Sequence, residues 1–190
     1  MDKRQEVLNK FIKHVVSQAK RNLTEKNKKA SGKLYNSIKG ESKAFPNSIG
    51  IYFEMDEYGF YQDEGVKGKD PNKVSKNAKI RGQQAPNSRF RFGSGSHSGT
   101  WNGFISSLEK WAQRKNIRLR DEKGKFKKGS YKTIAQVIGK NIYARGLKPT
   151  LFFTKPFEAA FKKLPDELIA SYGLDVENLF DSIMKPNLKK

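Results

Sequence analysis

The sequence predicts an α+β fold: a long N-terminal helix packed on a small antiparallel β-sheet, further helices at the C-terminus, and a long basic loop insertion. Three observations carry this. Leu8, Phe11, Ile12, Val15, Val16, Ala19 and Leu23 recur at steps of three and four, the spacing that lines one face of a helix. Ile49, Ile51 and Phe53 alternate with Gly50, Tyr52 and Glu54, the period of a half-buried strand. From residue 66 to residue 100 apolar periodicity is lost, and Gly, Ser, Asn, Pro and Lys dominate.

The first helix is expected over residues 2–29, with Lys10, Lys13, Lys20 and Arg21 on its polar face and Ser31-Gly32 as its stop. Residues 38–55 read as two strands turned at Pro46-Asn47, and Tyr58 to Glu64 as a short helix. The 66–100 stretch is expected to be a mobile loop, because loops of this length inside compact domains are functional or lack fixed structure. Trp101 to Lys115 reads as a helix presenting Phe104, Ile105, Leu108, Trp111 and Ala112 on one face. Ile117 to Ser130 is basic and turn-rich, and Gly124 and Gly129 suit a β-arm or hairpin. Tyr131 to Arg145 is a further helix, striped by Ile134, Val137, Ile138 and Ile142 and stopped at Gly146. Thr150 to Phe153 reads as a short apolar strand. Pro156 then fits the first turn of a C-terminal helix that Pro165 and Gly173 interrupt. That segment carries Phe157, Ala160, Phe161, Leu164, Leu168, Tyr172, Val176, Leu179 and Phe180. The chain reads as one α+β domain over 1–190, with a flexible basic insertion at about 66–100 and a basic arm at about 114–132.

Composition speaks to partners. Thirty-nine Lys and Arg stand against nineteen Asp and Glu in 190 residues, a net charge of +20. A balance of this kind suits nucleic acid, acidic protein surfaces or anionic membranes as partners. Without cysteine there are no disulfides and no thiolate-ligated metals. Gln5, Glu6, Asn9 and Lys10 break any apolar stretch behind Met1-Asp2-Lys3-Arg4, so no export signal is expected. No apolar run approaches the roughly 20 residues that span a bilayer, and no membrane partner is expected.

Catalytic constellations are not visible. His14 lies beside the helix stripe and His97 in a Ser-Gly tract, neither with an H-x-x-H or H-E-x-x-H partner. Asp56-Glu57 and Asp63-Glu64 are acidic pairs at a turn and a helix end. Gly93-Ser94-Gly95-Ser96 lacks the G-K-[ST] ending and strand-to-helix context of a phosphate loop. No catalytic, cofactor-binding or metal-binding residue is therefore expected, and an enzyme such as a nuclease is the weakest class.

Two basic segments are the candidate contacts. The first holds Lys67, Lys69, Lys73, Lys76, Lys79, Arg81, Arg89 and Arg91. The second, Arg114 to Lys132, includes Arg118, Arg120, Lys123, Lys125, Lys127 and Lys128. Phe90, Phe92, Phe126 and Tyr131 are interspersed with these cations. Cations with aromatics grip phosphates and stack on bases; the same pattern suits solvated arms or contacts with acidic neighbouring subunits. The motifs of sequence-specific readers are absent. The C-terminal region is acidic by contrast, with Glu158, Asp166, Glu167, Asp175, Glu177 and Asp181. An acidic helical end with basic extensions suits contacts between successive copies of a ring, and equally an ordinary helix with a solvated polar face.

Three short segments, in fixed order, also carry a family resemblance. Ser31-Gly32-Lys33-Leu34-Tyr35-Asn36-Ser37-Ile38 follows the first helix. In it Gly32 permits a chain reversal, Leu34 and Ile38 return to the core, and Ser37 can bond local backbone. Tyr58-Gly59-Phe60-Tyr61-Gln62-Asp63-Glu64-Gly65 follows the strands, and Phe152-Phe153-Thr154-Lys155-Pro156-Phe157 opens the last helix. This order resembles the tail-completion (head–tail joining, minor tail component) proteins of tailed bacteriophages. The matching fold-motif positions are Gly32, Leu34, Ser37, Ile38, Tyr58, Tyr61, Gly65, Pro156 and Phe157. The resemblance covers residues 1–65 and about 147–180, and the intervening 66–146 is longer than in compact members. It implies a non-enzymatic virion protein, without cofactor, made in the host cytoplasm and placed in the neck or tail. It also implies a ring of roughly six or twelve copies. The implied partners are portal or connector proteins, tail proteins and packaged DNA. The alternative is a non-specific nucleic-acid-binding protein.

Overall fold

Helix α1 (Lys3–Glu25) follows the apolar stripe. Leu8, Phe11, Ile12, Val15, Ala19 and Leu23 are buried, Val16 is half-buried at the stripe's edge, and His14 is exposed. The helix stops at Glu25, short of residue 29. There the Lys28 N–H reaches back to the Leu23 carbonyl at 2.8 Å, a 6→1 closure of the kind that ends helices.

The computed structural model describes residues 3–26, 28, 31–45, 48–74, 78–95, 99–121, 123–164 and 166. The turn expected at Pro46-Asn47, the breaks expected at Pro165 and Gly173, and the side chains of Lys76 and His97 lie outside the described residues. The protein is α+β. Its described residues fall into two compact units, one drawn from Met1–Asp63 and Thr150–Lys190, the other from Glu64–Pro149.

In the first unit, Ser31 to Ile38 holds a one-turn helix, α2 (Lys33–Ser37), where only a turn was expected. Gly32 precedes it in the left-handed region at φ 78°. Strands β1 (Lys39–Phe45) and β2 (Ser48–Glu54) pair antiparallel, with Gly40 opposite Phe53 and Ser42 opposite Ile51. Ile51 and Phe53 face the core, and Tyr52 and Glu54 face outward, as the alternation requires. Gly40 brings β1 close to α1: a Cβ there would meet Ile12 Cγ2 at 2.6 Å. Helix α3 (Tyr58–Glu64) follows.

Thr150 to Phe153, expected as a strand, forms no ladder. It turns into helix α6 (Thr154–Phe161), because its N–H groups are taken elsewhere. The backbone carbonyl of Asp63 accepts from Thr150 and Leu151 at 3.1 and 3.0 Å. Leu151 sits at φ 50°. Phe152, Phe153 and Phe157 are fully buried. Phe53 meets Phe153 and Phe157 edge-on at centroid distances of 5.2 and 6.0 Å, and Phe11 meets Phe157 at 5.8 Å. Each buried ring contributes about 1.5–3 kcal/mol by leaving water, so this cluster is the core of the unit.

In the second unit, β3 (Val66–Lys67) pairs antiparallel with β4 (Gly146–Leu147), a short ladder not expected from the sequence. Gly65 precedes it at φ 74°, and a Cβ there would lie 2.4 Å from the Leu147 carbonyl oxygen, so only glycine fits. Helices α4 (Trp101–Arg114) and α5 (Tyr131–Arg145) start where Thr100 and Ser130 accept backbone N–H bonds from Gly103 and Thr133, each at 3.1 Å. They bury Ile105, Ala112, Ile134 and Ala135. Among the described residues of 68–100, the one helical element is a 3₁₀ turn, Pro71–Lys73. Their backbone is nonetheless tied: Lys67 bonds Phe90 and Phe92, and the Gln84 N–H reaches the Arg145 carbonyl at 2.7 Å. Phe92 then packs on Phe104 and Tyr143 at 5.9 and 5.4 Å.

Candidate partner interface

Charge is concentrated in the second unit. Residues 64–149 carry twenty-one Lys and Arg against five Asp and Glu, which is +16 of the chain's +20. The two basic segments differ in what their cations do.

Most loop cations are engaged locally. Lys73 pairs with Asp70 at 3.2 Å. Arg89 pairs with Glu64 at 2.7 Å and lies over the Phe90 ring at 5.0 Å. Lys69 lies over Tyr143 at 5.8 Å. Lys67 is half-buried in β3, and Arg81 donates to the Ala78 carbonyl at 3.2 Å. Lys79 and Arg91 are exposed.

The arm is different. Arg118, Arg120, Lys123, Lys125, Lys127 and Lys128 are all exposed. Among the described residues, no carboxylate pairs with any of them. A single antiparallel bridge, Arg120 to Phe126, stands where a hairpin was expected. Its tip is organised by Asp121, whose Oδ1 accepts from the Lys123 and Lys125 N–H groups at 3.0 and 2.8 Å. Asp121 thus turns its carboxylate to backbone and pairs with none of these lysine ammonium groups. The sequence carries a local signal for this turn, since Asp121 stands three residues ahead of Gly124, a turn-forming spacing.

Phe126 is 60 % exposed, unusual for so large an apolar ring. The Arg120 guanidinium lies over it at 4.3 Å and that of Arg118 at 5.6 Å. Beside them is an open cleft of ≈330 Å³, lined by Arg118, Phe126, Lys127, Lys128 and Tyr131. Asn116, not singled out by sequence, accepts from Tyr131 Oη at 3.3 Å and from Arg118 Nε at 3.4 Å. An exposed aromatic ring with guanidiniums over it and lysines alongside offers a binding surface for phosphates, bases or carboxylates.

In the first unit the three motif segments form one connected block. Ser37 Oγ donates to the Leu34 carbonyl and accepts from the Asp56 N–H, both at 2.9 Å. Leu34 lies against Gly59, where a Cβ would meet its Cδ1 at 2.9 Å. Asp63, fully buried, accepts from the Phe153 N–H at 2.7 Å, the Thr154 N–H at 3.3 Å and the Thr154 hydroxyl. Burial pushes the Asp63 carboxyl above its ordinary value, against the pull of these hydrogen bonds and of Lys26. Ile38, Pro156 and Phe157 are buried, Tyr61 donates to Glu57 at 2.8 Å, and Tyr58 is exposed.

The acidic pairs diverge: Asp56 pairs with Lys33 at 3.6 Å, and Glu64 with Arg89. Among the described residues, no three His, Asp or Glu side chains gather as a metal site, and no helix is long and apolar enough to cross a membrane. Compared with known proteins, the chain matches no family model, no curated protein and no solved structure.

Proposed function

We propose that this chain is a structural virion protein of a tailed bacteriophage, assembling as a ring in the neck that joins the capsid connector to the tail. One observation carries the reading. The three segments behind the family resemblance are far apart in sequence but are joined by Leu34–Gly59 and Asp63–Phe153, with Ser37 also tied to Asp56 just ahead of the second segment. Motifs whose residues support one another as fold determinants are what a structural family shares. The exposed arm then serves as the contact to neighbouring virion components.

The test is the triple change K125E/K127E/K128E in purified particles. These exposed side chains should alter stability by less than about 0.5 kcal/mol. The subunit is expected to fold, while attachment of tails to heads is impaired. Particles with normal tails and infectivity would count against arm-mediated joining. Absence of the protein from mature particles would remove the reading.

A second reading, a non-specific nucleic-acid-binding protein, is favoured by the +16 charge of the second unit and by Phe126 beneath two guanidiniums. An isolated monomer with strongly salt-dependent DNA affinity would support it.

A further inference from the structure

Between α1 on one side and α2 with β1 on the other lies an open groove of ≈740 Å³ in the first unit. Its floor is apolar, formed by Ile12, Val16 and Ile38. Its rim carries Lys13, Lys20 and Lys39, with Lys20 over the Tyr35 ring at 5.4 Å. Among the described residues no carboxylate pairs with any of these three lysines. A floor of this kind ringed by cations fits an amphipathic, acidic segment.

The chain itself contains one. Residues 164–184 hold Asp166, Glu167, Asp175, Glu177 and Asp181 and not one Lys or Arg, in a protein of net charge +20. Leu168, Tyr172, Val176, Leu179 and Phe180 recur there at steps of three and four, the pattern of helix anchors for a groove. Helix α6, which this segment follows, packs on the Phe11 edge of α1 through Phe157 and Phe161. The groove runs along the Ile12–Val16–Lys20 row instead, which the helical period places on the other flank of the stripe. No described residue of α6 lines the groove, which leaves it to a segment of a second copy.

We infer that the acidic segment 166–181 of one copy docks in the Lys13/Lys20/Lys39 groove of the next. The contact is heterologous, and successive heterologous contacts form a ring where the rotation between copies closes and a filament where it does not. The inference deepens the ring reading and rests on it for closure alone.

The test uses the full-length chain in two variants, K13E/K20E/K39E and D175K/E177K/D181K. Native mass spectrometry and sedimentation at several concentrations give the readout, with thermal melting as a folding control. Wild type is expected to self-associate and each variant to be monomeric. An equimolar mixture should regain association, because each variant keeps one competent half and the two reversed halves are again of opposite charge. If charge reversal prevents folding, K13Q/K20Q/K39Q replaces it, with dimer affinity expected to fall on the order of tenfold. Wild-type oligomers in either variant, a mixture that stays monomeric, or a monomeric wild type overturn the inference. So does a groove variant that loses duplex-DNA affinity while keeping its oligomeric state. Assembly through this contact by a protein that never enters particles would leave the inference standing and remove the virion reading.

Discussion

The carboxylate of Asp63 receives the backbone N–H of Phe153 at 2.7 Å across 90 positions of sequence. With the Thr154 N–H and hydroxyl on the same carboxylate, the end of α3 caps the start of α6. Helix starts carry N–H groups without internal partners, and burial of Phe152, Phe153 and Phe157 keeps water from serving them. The residue that closes α6 therefore lies outside the segment that forms it.

Replacing Asp63 should be costly for this reason. Asp63→Ala leaves buried donors without acceptors, at about 1–3 kcal/mol per group, and is expected to lose about 2–5 kcal/mol in urea denaturation. Asp63→Asn keeps one acceptor oxygen and should lose less. Equal losses in the two variants would argue against a capping role.

The same residue makes stability depend on pH with a definite sign. The folded pKa lies above the ordinary 3.8, so the folded state binds this proton more tightly than the unfolded state. Its titration contributes stability that is fully present below 3.8 and is lost as pH rises through the raised value. Asp63→Asn, which cannot titrate, should lack this loss. Urea midpoints of wild type and variant, measured from below pH 3.8 upward, should therefore converge as pH rises. A constant difference between them would contradict the assignment.

Gly40 and Ile12 set how closely α1 approaches the hairpin, since a Cβ at 40 would meet Ile12 Cγ2 at 2.6 Å. Gly40→Ala should cost about 1–3 kcal/mol by overpacking. Ile12→Ala removes the clashing methyl, so the double variant should be more stable than the sum of the single losses predicts. A coupling below about 0.5 kcal/mol in the cycle would mean that the two sites are independent.

How much of this was legible in the sequence depends on the range of the causes. The ends of helix α5 are legible because its apolar repeat and Gly146 behind it are local, although Val137 of that repeat is 45 % exposed and only Ile134 of it is buried. Helix α1 was read long at its C-terminus, where a 6→1 bond from Lys28 to Leu23 closes it without a residue type that marks a stop. Thr150 to Phe153 looked like a strand because its residues are apolar; Asp63, which takes its N–H groups, is remote in sequence. The short ladder of Val66–Lys67 on Gly146–Leu147 was invisible for the same reason. At the candidate interface the cations could be counted. Which of them are neutralised could not be read, since Arg89 finds Glu64 across 25 positions and Asp121 turns away to its own backbone.

Two classes of lysine and arginine follow, and the DNA-binding reading separates them. Arm residues Arg118, Arg120, Lys125, Lys127 and Lys128 are exposed without carboxylate partners among the described residues, whereas Lys73 and Arg89 already have such partners. Each lysine that neutralises a phosphate releases counterions and adds about 0.9 to the slope of log affinity against log salt. K125Q/K127Q/K128Q should therefore lower that slope by up to about 2.7. Lys73→Gln should change it little, because its charge is partly satisfied by Asp70. Phe126→Ala should leave the slope nearly unchanged and weaken single-strand binding by about 1–3 kcal/mol if bases stack on the ring. Fluorescence anisotropy of labelled oligonucleotides across a salt series measures all three. A slope that falls as much for Lys73→Gln as for a single arm lysine would mean that the whole basic face acts as a diffuse field. A flat slope for wild type would exclude phosphate contacts and leave the arm to acidic protein partners.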